Sequence, residues 1–291
     1  MTVDQGTVSI RPVRARRHTL YFLEYAAGQR PVFLDTEVDM TRVTAHRRTA
    51  RTAVGGKISL VSYVLLATGR VLARHPEGNA VMVPGWPGRL RAPRIARFSQ
   101  VTAKLALDRD VDGERSVLSA LLPGLEQAGL AEIQERIDRY RGEGTADLPE
   151  FARVRRLDRL PVPLGRLAFA AALRDPRRRA AVFGTVSVSS LGHQPVDGFH
   201  STGGTALTVC LGQVAERPTV KDGVLAVAPL MRLSLAFDHR VVDGATAADV
   251  LGDLRRTLEE FDADEEFDAD SGLRGAAQDQ RPVRLVGRGP R

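Results

Sequence analysis

Two segments of this 291-residue chain place an imidazole four residues before an aspartate that is followed by glycine: HQPVDG at 193–198 and HRVVDG at 239–244. Histidine titrates closest to neutral pH, so either copy could supply a general base. The spacing alone does not choose between them. A base must be held rigidly near the proton it removes, and the end of a buried strand provides that support. His239 follows the alternation MRLSLAF, and Asp243-Gly244 then open a predicted helix, where a carboxylate is favoured by the helix dipole and can brace the turn. His193 sits in SSLGHQPVDGF, with glycine before it and proline two residues after, which predicts a loop. On these residues alone HRVVDG is as much a strand-end histidine as a catalytic base, and HQPVDG reads first as a loop histidine beside a turn aspartate. A third segment, DRDVDG at 108–113, matches the first half of a calcium loop through Asp108, Asp110, Asp112 and Gly113. It fails at the twelfth position, where Ser119 replaces the bidentate glutamate, so a polar turn is expected there. No His and Cys cluster has zinc spacing, and no metal is expected.

The elements that would position these residues follow from periodicity. Residues 32–38 and 101–107 alternate as half-buried strands, with a helix expected after the first. Ser59 opens an amphipathic helix that stops at Pro76, and 123–140 carry a polar helix. Segment 141–180 breaks the rhythm with prolines and basic clusters and reads as an inserted excursion. Strands follow at 182–190 and 205–214, then a hairpin around Lys221-Asp222-Gly223, where an Asp-Gly step between apolar alternations is a turn signal. Met231, Leu233, Leu235 and Phe237 share one face of the last strand, and Leu251, Leu254, Leu258 and Phe261 have helical spacing. The expected organisation is a basic arm at 1–30, one domain at 31–261 interrupted at about 141–180, and a disordered tail at 262–291. Irregular alternation of strands and helices without internal repeats indicates an α/β layered sandwich with one main sheet.

Composition narrows the function classes. A net charge of +7 invites a nucleic-acid reading, but basic residues are not interleaved with aromatics, and lysine occurs only at Lys57, Lys104 and Lys221. The scattered arginines indicate a bias toward anionic ligands instead. Arg153, Arg155, Arg156 and Arg177 to Arg179 read as solvated basic surface, with contact to a phosphate-bearing ligand or an acidic partner as the alternative. A single cysteine, Cys210, excludes an internal disulfide, and no stretch approaches the roughly 20 apolar residues that span a bilayer. A soluble cytoplasmic protein without membrane or nucleic-acid partners is expected.

LSLAFDHRVVDGATAADVL resembles the active-site motif of the 2-oxo acid dehydrogenase acyltransferases, whose dihydrolipoamide acyltransferase catalytic domain shares the chloramphenicol acetyltransferase fold. VFLDTEVDMTRV, LARHPEGNA, VSVSSLG and CLGQVAERPTV are similar to further segments of that family in the same order. The resemblance implies a mixed central sheet flanked by helices, with His239 as general base for an acceptor thiol or hydroxyl attacking an acyl thioester. Asp243 would hold the loop and the imidazole, and Ser189, or the adjacent Ser190, would donate to the tetrahedral oxyanion. His193 and Ser190 would line the acceptor side. The family places its serine and histidine on different chains of a trimer, so a homotrimer or an assembly of trimers is implied. Thirty N-terminal residues are too few for a lipoyl domain. The expectation is therefore a free-standing enzyme with no tightly bound cofactor. It would take acyl groups from a coenzyme A thioester to a small-molecule or carrier-bound biosynthetic intermediate. A transacylase core served by a lipoyl domain in trans and a non-catalytic scaffold are the alternatives.

Overall fold

Segments that alternate apolar and polar residues bury one phase of the pattern against a second layer, and this chain does so on one mixed sheet. The computed structural model describes residues 16–52, 55–83, 92–111, 114–140 and 148–262. In chain order its elements are α1 (Arg17–Ala26), β1 (Pro31–Asp39), α2 (Thr41–Thr49), α3 (Leu60–Arg74), β2 (Ala80–Val83), β3 (Arg94–Arg97), β4 (Ala103–Val111) and β5 (Glu114–Leu122). They continue with α4 (Leu130–Asp138), α5 (Ala152–Arg159), α6 (Val162–Arg174), α7 (Pro176–Phe183), β6 (Val186–Ser190), β7 (Leu207–Lys221), β8 (Val224–Asp238) and α8 (Gly244–Glu259). The sheet runs β1-β8-β7-β6-β4-β5, and β2 and β3 form a separate two-stranded pair. β6 is parallel to both β4 and β7, and the remaining pairs are antiparallel.

Strand register sorts the two faces. Leu235, Val209, Val188, Leu105 and Ala120 belong to the buried phase of β8, β7, β6, β4 and β5. With Met231, Leu233 and Phe237 they join one core cluster that includes Val64, Leu65, Val71 and Leu72 of α3, Ile133 of α4, and Leu251, Leu254 and Leu258 of α8. Gly69 lets α3 approach the turn at Leu125, whose carbonyl oxygen would lie 2.3 Å from a Cβ. The opposite face is small and polar: Thr208, Ser187 and Lys104 form one cross-strand row, and Ser234, Cys210 and Ser189 another. α1, α5, α6 and α7 roof the β4–β6 half of that face.

Several expectations shift. The helix expected over 123–140 begins at Leu130, because the chain leaves Gly124 at φ +69 and first turns through Leu125–Gln127. Val182 and Phe183 end α7, so the strand expected from 182 starts at Val186. The part of the excursion that is described is helical, and its prolines start helices: Pro161 caps α6 and Pro176 is the first residue of α7. Within the expected arm, residues 17–26 form α1, which packs on α5 and α6. Asp112 and Gly113 lie outside the described residues, while the flanking β4 and β5 pair antiparallel. The expected tail beyond 262 is likewise outside them. No described helix is long and apolar enough to cross a membrane.

Candidate functional site

β8 ends at Asp238, which is buried and accepts hydrogen bonds from Arg240 Nε at 2.9 Å and Nη2 at 2.6 Å. Burial pushes its carboxyl up, but the Arg240 bonds and charge outweigh this and hold it below the ordinary 3.8. The turn is closed by Val241 and Val242 N–H groups donating to the Asp238 carbonyl, and His239 N–H donates to Arg30 O at 2.9 Å. The backbone of His239 is thus tied on both sides while its side chain is exposed. Its ring lies 5.5 Å from that of Phe237 and makes no hydrogen bond to a described residue. A fixed backbone and a free imidazole are what a general base needs. The Asp238–Arg240 clamp that flanks it was absent from the sequence reading, although the Asp-His-Arg order carried the signal.

Asp243 is the N-cap of α8, its Oδ1 accepting from Thr246 N–H at 2.9 Å. These bonds, with a smaller contribution from the charge of His239, hold its carboxyl below 3.8. The carboxylate therefore holds the loop, and no hydrogen bond joins it to the imidazole. Asp243→Ala is expected to lower the melting temperature, whereas Asp243→Asn keeps most of it because asparagine caps equally well. A carboxyl whose folded pKa is depressed stabilises fully above its unfolded value and loses that stabilisation as pH falls through the folded one. Melting curves of wild type and Asp243→Ala, followed by circular dichroism, should therefore differ at neutral pH and converge in acid.

The other copy of the pattern is built differently. Asp197 accepts from Gln213 Nε2 at 2.8 Å and from Arg217, and Gln213 N–H donates to Val196 O. These bonds staple the 191–198 loop to β7 where its register shifts between Leu211 and Val214. Gly212 is required there, since a Cβ would meet the Asp197 carbonyl oxygen at 1.9 Å. HQPVDG is thus a loop clamp and HRVVDG a strand-to-helix turn.

β4 and β6 pair only from Ala103 to Leu105 and from Val186 to Val188, then part. A cleft of about 840 Å³ opens between them, with Leu105–Arg109 on one wall and Ser189, Ser190 and His193 on the other. Arg16, Arg47 and Arg109 also line it. His193 is exposed, and Ser190 Oγ accepts from Gly192 N–H at 3.4 Å. His239 and Asp243 do not line this cleft. Ser189 pairs with Cys210, and Cys210 with Ser234, five residues before His239 and two strands from Ser189. At ~3.4 Å per residue and ~4.8 Å per strand, the two Cα atoms are roughly 20 Å apart. One chain brings Ser189, Ser190 and His193 together and keeps His239 away from them. Among the described residues, no group of three or more His, Cys, Asp or Glu could hold a metal ion.

Comparison with known proteins bears on the same segment. Residues 178–263, which contain all five of these residues, match the sequence model of the 2-oxoacid dehydrogenases acyltransferase (catalytic domain). The dihydrolipoyllysine-residue acetyltransferase component of the pyruvate dehydrogenase complex of Bacillus subtilis (strain 168) is 26% identical over 230 residues. That match covers 78% of this chain but only 44% of the relative. A dihydrolipoamide acetyltransferase from Azotobacter vinelandii superposes with a TM-score of 0.64 at 20% identity, covering 89% of this chain and 96% of that one. A probable dihydrolipoamide acetyltransferase from Listeria monocytogenes gives 0.62 at 16%, covering 89% and 97%. The resemblance read from the motifs is shown, the fold is that of these acyltransferase cores, and the family and the named relatives are acyltransferases.

Proposed function

We propose that this protein transfers an acyl group from a coenzyme A thioester to an acceptor hydroxyl or thiol, with His239 as the general base. The carrying observation is the turn at 238–243, which ties the backbone of His239 and leaves its imidazole unengaged inside the segment that matches the acyltransferase family. In the reaction His239 removes the acceptor proton, and the freed oxygen or sulfur attacks the thioester carbonyl. The Ser189 hydroxyl donates to the resulting oxyanion. The tetrahedral intermediate then collapses with loss of coenzyme A thiolate, which takes the proton back from the imidazolium. Asp243 keeps the turn in place.

The roughly 20 Å between Ser189 and His239 within one chain supports a site completed by a neighbouring subunit. The homotrimer is the arrangement we favour, alone or in a larger assembly. Exposed Val220, Val224, Leu225 and Val227 at the tip of the β7–β8 hairpin supply apolar surface for such an assembly. Arg16, Arg47 and Arg109 around the cleft fit a donor that carries phosphates. His193 and Ser190 are assigned to the acceptor side. The charged surface and lone cysteine suit a cytoplasmic enzyme.

For the acceptor we favour a hydroxyl on a small molecule or carrier-bound biosynthetic intermediate. The names of the relatives favour the dihydrolipoyl thiol as the second reading. Offering purified protein acetyl-coenzyme A with dihydrolipoamide and a panel of hydroxylated acceptors in parallel separates the two. Acetyl ester formation, detected by mass spectrometry, is the expected result. Turnover of dihydrolipoamide alone would overturn the hydroxyl assignment.

A further inference from the structure

Two basic side chains are buried on the polar face of the sheet with no counter-charge among the described residues. Lys104 is 8% and Arg179 2% exposed, although Arg179 belongs to a run that reads as solvated basic surface. Lys104 Nζ donates to Gly203 O and lies 3.9 Å and 4.6 Å from the ring centroids of Phe183 and Phe22. Arg179 donates to Gly204 O and to Tyr25 Oη, and its second terminal nitrogen, Nη1, is buried without a hydrogen-bond partner among the described residues. Neither pairs with a carboxylate of any described residue. Carbonyls and ring faces offset part of the desolvation, but they bring no negative charge, and buried charges are otherwise paired. Burial, with the nearby Arg179 adding to it, pulls Lys104 down to about 7.

Lys104 faces a cavity of about 340 Å³ between the sheet and helices α1, α5, α6 and α7. Its walls combine Phe22, Phe169 and Phe183 with the hydroxyls of Ser187, Ser189 and Thr208. Ser189 and Ala106 also line the larger cleft, so the two spaces meet at the serine. We infer that this cavity is a carboxylate-binding subsite, in which the anion lies against Lys104, Arg179 strengthens the positive field, and the aromatic walls take a short apolar chain. One ammonium beside aromatic walls suits a carboxylate, whereas a phosphate needs several converging donors, and Arg179 is directed at Gly204 O and Tyr25. The carboxylate belongs to one of the reacting molecules, carried either on the acyl group or on the acceptor. That link rests on the proposed role of Ser189, while the binding itself does not.

Calorimetric titration of the full chain with hexanoate and with neutral hexanamide tests the subsite without catalysis. Hexanoate should bind at least ~10-fold more tightly than hexanamide, a difference of about 1.4 kcal/mol. Lys104→Met should remove that preference, Lys104→Arg should retain part of it, and His239→Ala should bind as wild type. Equal binding of the two ligands to wild type overturns the inference whether or not the Met variant folds, and so does an undiminished preference in a folded Lys104→Met. In turnover, glutaryl- against pentanoyl-coenzyme A reads a carboxylate on the acyl group, and a hydroxy acid against the matching diol reads one on the acceptor. The carboxylated member of one pair should show the lower KM, and Lys104→Met should erase the difference. No difference in either pair on an active enzyme overturns the link to the reaction. A chain that transfers no acyl group yet prefers hexanoate overturns the proposed function and upholds the subsite.

Discussion

His239→Ala is expected to reduce acyl transfer by about 10²–10⁴-fold, the range for loss of a positioned general base. The chain should remain folded. The side chain is exposed, its ring makes no hydrogen bond to a described residue, and alanine keeps the backbone N–H that donates to Arg30. Exposed substitutions of this kind usually change stability by less than ~0.5 kcal/mol. The Asp238–Arg240 clamp and the Asp243 cap persist, so the turn should hold its shape around the missing imidazole. Thiol release from acetyl-coenzyme A, followed beside a thermal melt, separates lost chemistry from lost structure. His193→Ala serves as the comparison, since a residue of the cleft wall should change KM or acceptor preference more than kcat. Survival of more than half the activity in His239→Ala, or equal losses from both variants, would mean the base has been misassigned.

The second large effect is a recovery. Ser189→Ala should cost about 10²–10³-fold through loss of an oxyanion donor. Neither that variant nor His239→Ala should be active alone. If serine and histidine meet across a subunit boundary, assemblies mixed from equal amounts of the two variants regain sites in which one chain supplies Ser189 and its neighbour His239. Every trimer that contains both variants has one intact site in three, so activity should return to about one third of wild type. Co-expression with two affinity tags, purified in tandem, yields the mixed assembly. A site contained within one chain would show no recovery, because every chain would then lack one of its own groups.

The parts of this fold that were legible in the sequence are those whose burial is local and periodic. Met231, Leu233, Leu235 and Phe237 alternate because one face of β8 meets the helical layer, and all four are buried. The Asp-Gly turn was legible because it needs two residues at positive φ, and Asp222 and Gly223 adopt 52° and 79°. The excursion was opaque for a physical reason. Basic, proline-containing segments read as irregular, whereas here the prolines stand at helix starts and the helices gain order from the sheet they cover. β5 was hard to read because polar and charged residues, Asp108 to Arg115, run into it, although Leu118, Ala120 and Leu122 alternate. Of the candidate site, the strand-end placement of His239 and the capping role of Asp243 could be read locally. Its separation from Ser189 could not, since that depends on strand order. Lys104 shows the same limit: in VTAKLAL it occupies the polar phase of a strand, and α1, α7 and the loop at Gly203, all distant in the chain, bury it.

The early parting of β4 and β6 has a consequence for how this protein can change over time. Past Leu105 and Val188 the two strands no longer supply ladder partners to each other, so the cleft is lined by two strands whose main chain is not paired across it. Peptide groups are the same whatever side chains they carry. Recognition that uses them tolerates replacement of the neighbouring residues, so substrate preference can drift while the grip on a common portion of the ligand persists.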